Sequence, residues 1–475
     1  MMEYSSLLLF PLGSIFTLFV LSPWSSWPKR ILRSPSLLPN RSTLYITDPR
    51  TKIIRDIQHL AESHETAATM ADMIQKDGAG SWPPRANHQH ETWPAPLRVY
   101  KEIFMEMSSV MAIEKASLDD ACDIKRIAGN RAMFRKLLSE RVDMAQVRAI
   151  LEAAEGGQWD IIPRDTYNAF YNCIAMCRHA YRWAIIPVVK VAQLETIVEL
   201  PLELVEPWAY LQRHFGCRSD SGNITSNMTL NFDSNEEYVH RINANLNKTI
   251  MDSEEAFSRI MREVENLGLP MYHDMIRATI SFARNDKAAC ALHMARLTNQ
   301  LRPMLGAYYD RLHDKTIARS AWLSHVQGFY AWGAGYTDEK TGEWVKFDGL
   351  SGNQVLLFQA IDAFCGLKAY LSEEDQHRNM PKRQRQLREA FERHSFRWKL
   401  GDSEDDAKIA REFEEILRRL RVFRSAHRTR GKVYLSQPAP ERLPMTAGKS
   451  LLKADIENSL EFLDGFMLRR IMQTQ

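Results

Sequence analysis

The chain has 475 residues, of which 45% are hydrophobic and 25% charged, and its 62 basic and 59 acidic residues leave a formal net charge of +3. This composition is typical of a globular protein with material for one large or two ordinary domains, and it excludes a disordered chain. The near balance of charge argues against a general nucleic-acid binder, although arginine-rich faces occur locally. Six scattered cysteines without a zinc-type CxxC pair indicate reduced thiols.

The N-terminal segment 1–44 is predicted to be a hydrophobic leader and linker. Residues 7–21 are free of charge, a run shorter than the roughly 20 residues that a membrane span needs. The run is compatible with a signal anchor, an uncleaved targeting segment or an extension upstream of the working protein. We expect a cytoplasmic protein, with anchoring to a membrane through residues 7–21 as the alternative.

Helical periodicity recurs along the rest of the chain, and convincing strand patterns are few. The predicted helices lie within 49–77, 97–111, 119–138, 144–154, 165–189, 202–215, 254–266, 270–284, 286–313, 317–332, 355–371, 382–394 and 408–434. Ser253 is the expected N-cap of one of them, and Pro270 is expected to open the next. The sequence therefore predicts an all-α protein in two parts, a small helical domain at 45–195 and a large one at 196–475.

An apolar stripe in the predicted helix 408–434 ends on a histidine. Its members follow at steps of 4, 3, 4, 3 and 4 and so share one helical face: Ile409, Phe413, Ile416, Leu420, Phe423 and His427. The opposite face, with Arg421 and Arg428 among its charges, is predicted to meet solvent, and the pattern is expected to break at Gly431. An inward His427 needs a partner for its ring nitrogens, which could be a metal or, more commonly, the backbone. The spacing leaves both open.

Four blocks of sequence together resemble the indoleamine 2,3-dioxygenase family. Phe423-Arg424-Ser425-Ala426-His427, followed by Val433-Tyr434-Leu435, is similar to that family's C-terminal haem-ligand helix. Asp348-Gly-Leu-Ser-Gly-Asn-Gln354 with the helix Phe358–Gly366 resembles its small-residue loop, and Asn379-Met-Pro-Lys-Arg383 its Met-Pro turn. Leu200-Pro201 and Ser324 to Trp332 match more loosely. The likeness covers roughly residues 190–436.

The resemblance implies haem b between helices of the larger C-terminal domain, with His427 as the sole protein ligand of the iron and the opposite face open for dioxygen. It implies that Arg424 lies near a haem propionate and pairs with Asp362, with Trp332 in the same network. Ser351, Gly352 and Asn353 would line the distal side, and Phe257 would pack on the substrate. Without the resemblance, Asp362 is compatible with a solvated carboxylate, the turn 351–353 with an ordinary turn and Phe257 with a core aromatic.

The chain also departs from the family in the substrate-binding segment. Family members that cleave tryptophan hold its carboxylate with an arginine, where this chain has Val326, and Ala321 with Trp322 replaces an aromatic position. Arg319 could substitute only if the helix shifts. These differences suggest a divergent member, similar to the branch in pyrrolnitrin biosynthesis that rearranges a chlorinated tryptophan.

The leading hypothesis is a haem-dependent dioxygenase that opens the C2–C3 bond of tryptophan or a related indole with O2, or carries out a related oxidative rearrangement. Its expected partners are a small-molecule indole and O2, without nucleic acid, and no side chain is assigned as a catalytic acid or base. The alternatives are a haem-binding sensor without dioxygenase activity and a helical scaffold anchored to a membrane.

Overall fold

Helices make up nearly all the regular structure in this computed structural model, which describes residues 48–346, 349–369, 371–437, 439–443, 445 and 456–474. Helices α1 to α17 are, in order, Pro49–Leu60, Glu65–Lys76, Ala95–Met111, Asp120–Arg141, Met144–Glu155, Arg164–Trp183, Lys190–Gln193, Leu202–Phe215, Lys248–Ala283, Lys287–Arg311, Arg319–Ala321, Gly328–Tyr330, Leu356–Phe364, Glu373–Asn379, Lys382–Arg393, Glu404–Leu435 and Ile456–Met472. Strands β1 (Gly335–Thr337) and β2 (Trp344–Lys346) pair antiparallel, with Tyr336 opposite Val345. The all-α prediction is confirmed.

The remaining helical turns are short. Three are 3₁₀ turns, at His90–Thr92, Gly352–Gln354 and Arg397–Lys399, and two are π-helical, at Thr225–Thr229 and Trp322–Gln327. The π-helical turn Trp322–Gln327 joins α11 to α12 and replaces the long regular helix predicted over 317–332. Such turns insert an extra residue into a helix and often occur at functional sites.

Local sequence explains where many helices begin. The side chains of Asp119, Asp143 and Ser403 accept hydrogen bonds from backbone N–H groups in the first turns of α4, α5 and α16. These groups would otherwise lack partners, because the first four amides of a helix have none within it. Pro201 and Pro381 precede α8 and α15, where a fixed φ near −60° suits the entry into a helix.

The core is built around two long helices, α6 in the first half of the chain and α10 in the second. Almost every residue of α6 is buried, including Arg178 and Arg182. Arg182 donates to the carbonyls of Trp332 and Ala192, and Arg178 to that of Leu204, so both guanidinium groups fasten loops to α6. In the second half of the chain α10 packs between α9 and α16, and α13 packs against α9 and α15.

Helix α9 corrects the prediction of two helices divided at Pro270. It is one helix of 36 residues, its N-cap is Asn247, and Pro270 lies inside it. Ser253 is not a cap: its hydroxyl donates to the Thr249 carbonyl one turn earlier and accepts from the amide of Ala318. Burial of one face of α9 along its length offsets the hydrogen bond that Pro270 cannot make.

One further helix end differs from the prediction and another agrees with it. α13 stops at Phe364, because Gly366 with φ of +70° turns the chain away, whereas the apolar pattern predicted a helix to 371. α16 continues through Gly431 and ends at Leu435, one residue beyond the predicted end at 434. Contacts with α10 and with the π-helical turn hold that last section of α16 and override the low helix propensity of glycine.

Residues Thr47–Gln475 form a single compact unit by their contacts. The division at 195 into a small and a large domain stays a prediction. All six cysteines are free thiols. Across the described ranges no helix combines the length and apolar character required to cross a bilayer. The hydrophobic run 7–21 lies outside the described residues.

Candidate functional site

His427 lies on α16 inside a cluster of aromatic side chains. The ring of Phe423, one turn earlier, stacks on it with centroids 6.1 Å apart and an interplanar angle of 11°. Tyr308 of α10 meets the histidine edge-on at 5.5 Å. Phe358 of α13 stacks in turn on Phe423 at 5.4 Å. Three helices therefore contribute to the aromatic cluster that contains His427, and the inward orientation expected from the stripe is confirmed.

The ring nitrogens of His427 have none of the partners that a core histidine normally has. Nδ1 is inaccessible to solvent and makes no hydrogen bond, although the residue as a whole is only part-buried. Among the described residues none bonds to Nε2 either. Burial, with a smaller contribution from Arg430, lowers the pKa of His427 to about 4. The imidazole is therefore neutral near pH 7, the form that binds metals.

His179 of α6 shows the contrasting arrangement. Its Nδ1 lies 2.7 Å from the Phe329 carbonyl oxygen and its Nε2 lies 2.7 Å from that of Ser221. This is the backbone-bonded core histidine that the sequence left open as an explanation of His427. The structure forms it at His179 and not at His427.

The predicted ion pair between Arg424 and Asp362 is confirmed. Nη2 of Arg424, one turn before His427, lies 2.6 Å from Oδ1 of Asp362 on α13. Arg470 of α17 contacts the other carboxylate oxygen, so Asp362 lies between two guanidinium groups. All three side chains are nearly buried, and burial lowers the pKa of Arg470 to about 10. Two charge-assisted contacts satisfy a carboxylate that would be costly to bury alone.

The helix α17 covers part of the α16 face that was predicted to meet solvent. Asp464 pairs with Arg428 and with Lys432, and the resulting hydrogen bonds and charge lower its pKa. Arg421 donates to the Thr474 carbonyl just beyond α17. The prediction of a fully solvated face is therefore wrong for Arg421 and Arg428, because a helix that follows in sequence packs on it.

The predicted distal loop lies just before α13. Gly352 and Asn353 form the 3₁₀ turn that follows Ser351, and the Asn353 carbonyl accepts a hydrogen bond from Gln359. A methyl group placed on Gly352 would meet no described atom within 4 Å, so open space adjoins this turn. The role of these three residues beside haem stays a prediction.

The predicted substrate residues form a second aromatic group. Phe257 of α9 meets Trp322 edge-on at 5.8 Å, and Trp322 meets Tyr434 at 5.5 Å. Tyr434 lies two helical turns after His427, on the same face of α16. The indole Nε1 of Trp322 is buried and has no hydrogen-bond partner. Val326, in the same π-helical turn, is completely buried.

Two further predicted residues, Arg319 and Trp332, have their contacts with other side chains. Arg319, the possible substitute for the missing arginine, forms an ion pair with Asp314 at 3.1 Å. The indole ring of Trp332 meets His179 edge-on at 5.0 Å and lies under the guanidinium of Arg178 at 5.8 Å. The ring of Trp332 thus contacts α6, whereas the carboxylate of Asp362 contacts α16 and α17.

Sequence reasoning missed Tyr308 and Arg470. Tyr308 is one apolar residue among many in a predicted helix, and nothing local marks its contact with His427. Arg470 follows Arg469 near the end of the chain, and its distance from Asp362 in sequence conceals their contact. Only the excess of arginine in the C-terminal third offered a signal.

The residues near His427 fit a haem group in this structure. A neutral imidazole without hydrogen-bond partners is available as an axial ligand, aromatic side chains surround it, and Arg424 lies one turn away. In the described part of the chain no group of three His, Cys, Asp or Glu residues is arranged to hold a metal ion by itself.

A known protein family matches a large part of the chain. The family model described as Indoleamine 2,3-dioxygenase matches residues 164–461, more than half of the chain and a range that includes His427, Arg424 and Asp362. No curated protein matches the chain.

Proposed function

Since the chain belongs to the indoleamine 2,3-dioxygenase family, whose members use haem, we propose that it is a haem-dependent dioxygenase that opens the C2–C3 bond of an indole. The observation that carries the proposal is the state of His427. Its imidazole is neutral, is enclosed by Phe423 and Tyr308, and makes no hydrogen bond with a described residue. Buried polar atoms usually have a partner in folded proteins, so a bound ligand would account for a ring that has none among the described residues.

The chain's own residues bind and orient. His427 would hold the haem iron, and Arg424, fixed by Asp362, would direct its charge towards a propionate. When bound, haem would supply the oxygen chemistry. The turn Ser351–Asn353 and the rings of Phe257 and Trp322 would enclose the substrate and exclude water.

Tryptophan itself is the less favoured substrate of this proposal. Val326 offers no charge to a carboxylate, and Arg319 is already paired with Asp314. An indole without a carboxylate, or a modified tryptophan held in another pose, suits this wall better, because a buried carboxylate without a cation is costly. A related oxidative rearrangement is compatible with the same site.

Isotope labelling tests the proposal. The haem-loaded protein is reduced and incubated with indole, 3-methylindole or L-tryptophan under oxygen-18 gas, and the products are analysed by mass spectrometry. We expect a ring-opened product carrying both atoms of one dioxygen molecule. Haem binding without turnover of any indole would contradict dioxygenase activity and favour the second candidate, a haem-binding sensor, which Val326 in place of the arginine also supports.

A further inference from the structure

A polar cavity of about 260 Å³ lies between α14 and α15, and none of its lining residues contacts His427. Its walls are formed by Glu373, Gln376, His377, Arg385, Arg388 and Glu389. We call it the α14–α15 cavity. Its volume is just below the roughly 300–1,000 Å³ usual for sites of drug-sized ligands, so it suits a small molecule.

Arg385 brings a positive charge without a carboxylate partner to this cavity. Its side chain is 7% exposed. Nη1 donates to the carbonyl oxygens of Gly216, at 2.8 Å, and Met380, at 2.5 Å. Among the described residues nothing accepts from Nε or Nη2. These two nitrogens form the edge of a guanidinium that binds a carboxylate through two parallel hydrogen bonds.

Arg388, one turn later on α15, is an internal comparison. It is similarly buried, but its Nη2 lies 2.8 Å from Glu392 and its Nη1 lies 3.2 Å from Oε1 of Gln376. The protein thus neutralises Arg388 with a neighbouring carboxylate and leaves Arg385 without one. Burial lowers the pKa of Arg385, yet an arginine remains cationic near neutral pH. Its charge therefore has no carboxylate in direct contact inside the cavity wall.

The cavity also contains negative charge that is weakly compensated. Glu373 forms no ion pair within the described part of the chain, and Glu389 has only a long contact of 3.9 Å with Arg393. Neither carboxylate lies within 4 Å of Arg385. Charges of both signs therefore line one small cavity without pairing with each other. A doubly or triply charged anion would be repelled by the two glutamates.

We propose that the α14–α15 cavity binds a small zwitterion of the α-amino acid class. Its carboxylate would bind the Nε–Nη2 edge of Arg385, and its ammonium group would contact Glu373, the carboxylate without an ion pair. Both ends of such a ligand satisfy a charge that the fold leaves unpaired, whereas a plain carboxylic acid or amine satisfies one. The proposal does not depend on the haem function.

Calorimetric titration of the full-length, haem-loaded protein with three matched probes tests this. L-norvaline carries both charges, pentanoate lacks the ammonium group, and butylamine lacks the carboxylate. We expect norvaline to bind at least about tenfold more tightly than either partial analogue, a factor equal to one good charge-assisted contact. No binding of norvaline up to tens of millimolar, or equal binding of pentanoate, would overturn the proposal.

Variants locate the site. Arg385→Gln and Glu373→Gln should each weaken norvaline binding about tenfold, because each removes one charge-assisted contact. Glu373 is exposed, so its variant keeps the test valid if Arg385→Gln fails to fold. Arg411→Gln, at an exposed position of α16, is the control and should bind as the wild type does. Norvaline binding that both cavity variants leave unchanged would place the ligand elsewhere and refute the assignment.

Discussion

His427 and His179 are both enclosed histidines with strongly lowered pKa values, each about 4, yet they differ in what their nitrogens meet. Two backbone carbonyls hold the ring of His179, whereas the ring of His427 packs on Tyr308 and Phe423 and makes no hydrogen bond with a described residue. The fold gives both ring nitrogens of His179 a partner and leaves the buried Nδ1 of His427 without one among the described residues. This difference is the main structural support for a ligand at His427.

Acid should destabilise the haem-free protein partly through His427. Its pKa is about 4 when folded and near 6.5 otherwise. Between these values the unfolded chain binds the extra proton, so stability falls as pH decreases from 6.5 towards 4. In His427→Phe, which keeps a ring beside Phe423, this contribution is absent. Urea unfolding at several pH values should show a wild-type loss larger by on the order of 1–3 kcal/mol.

The other buried histidines titrate in both proteins, so the difference between the two curves isolates His427. Parallel curves over pH 4 to 6.5 would mean that His427 titrates normally in the folded state. That result would contradict the enclosure inferred from its surroundings.

Removing the shared carboxylate of Asp362 should cost more than removing one of its two arginines. Asp362→Asn leaves the guanidinium groups of Arg424 and Arg470 close together without the charge that both contact. We expect a loss of about 3–5 kcal/mol for Asp362→Asn, typical of a broken buried ion pair, and clearly less for Arg470→Gln, since Arg424 still pairs. Urea unfolding measures both. Equal losses would show that Arg470 carries the whole interaction.

An arginine introduced at Val326 should alter the choice of substrate. In Val326→Arg the guanidinium would offer a partner to a substrate carboxylate, so kcat/KM for L-tryptophan should rise at least about tenfold relative to indole. The ratio is measured within one preparation, so a partial loss of folded protein cancels. Arg319→Ala is the control and should leave the ratio unchanged. An unchanged ratio in folded Val326→Arg would show that the substrate does not bind next to residue 326.

At the scale of helices, α16 is held from both sides. Tyr308 of α10 and Phe358 of α13 pack around Phe423 and His427, and α17 adds the contacts of Asp464 and Arg470 on the far side. The segment 421–432, which carries the proposed iron ligand, is thereby fixed in rotation as well as in position.

Removal of the Asp464 charge on α17 should therefore loosen this segment of α16. In Asp464→Asn the pairs with Arg428 and Lys432 lose their charge. Amide hydrogen exchange across 421–432 should become several-fold faster, as expected for a loss of about 1 kcal/mol. Asp405→Asn, which weakens the pair with Lys408 near the start of the same helix, is the matched control. Equal exchange in the two variants would show that α17 does not restrain α16.

The elements differ in how far sequence predicts them. The stripe that ends at His427 was sufficient to predict the helix and the orientation of His427, because six apolar or inward residues on one face mark the buried side of the helix. Ser253 and Pro270 misled because each is a strong local signal that tertiary packing of α9 overrides. The Arg470–Asp362 contact was beyond reach, since it joins residues more than a hundred positions apart and follows no local spacing.

On the scale of the whole molecule, elements outside the matched range 164–461 complete the fold around the site. Trp82 donates to the buried carboxylate of Glu265 on α9, which also accepts from the amide of Leu357 at the start of α13. Asp56 of α1 pairs with His273 and Arg277 of the same long helix. The N-terminal helices thus brace α9, and through it α13, which carries Asp362.

The central claim, that His427 is the axial ligand of a haem group, is tested most directly by ultraviolet–visible spectra of haem-loaded protein. Wild type, His427→Ala and His394→Ala are compared in the oxidised, reduced and carbon monoxide-bound states. His394 is the control, because its side chain is partly exposed and pairs with Glu65. We predict a Soret band that responds to reduction and to carbon monoxide in wild type and in His394→Ala, and that is lost or strongly altered in His427→Ala. No haem uptake, or spectra indifferent to His427, would contradict the account.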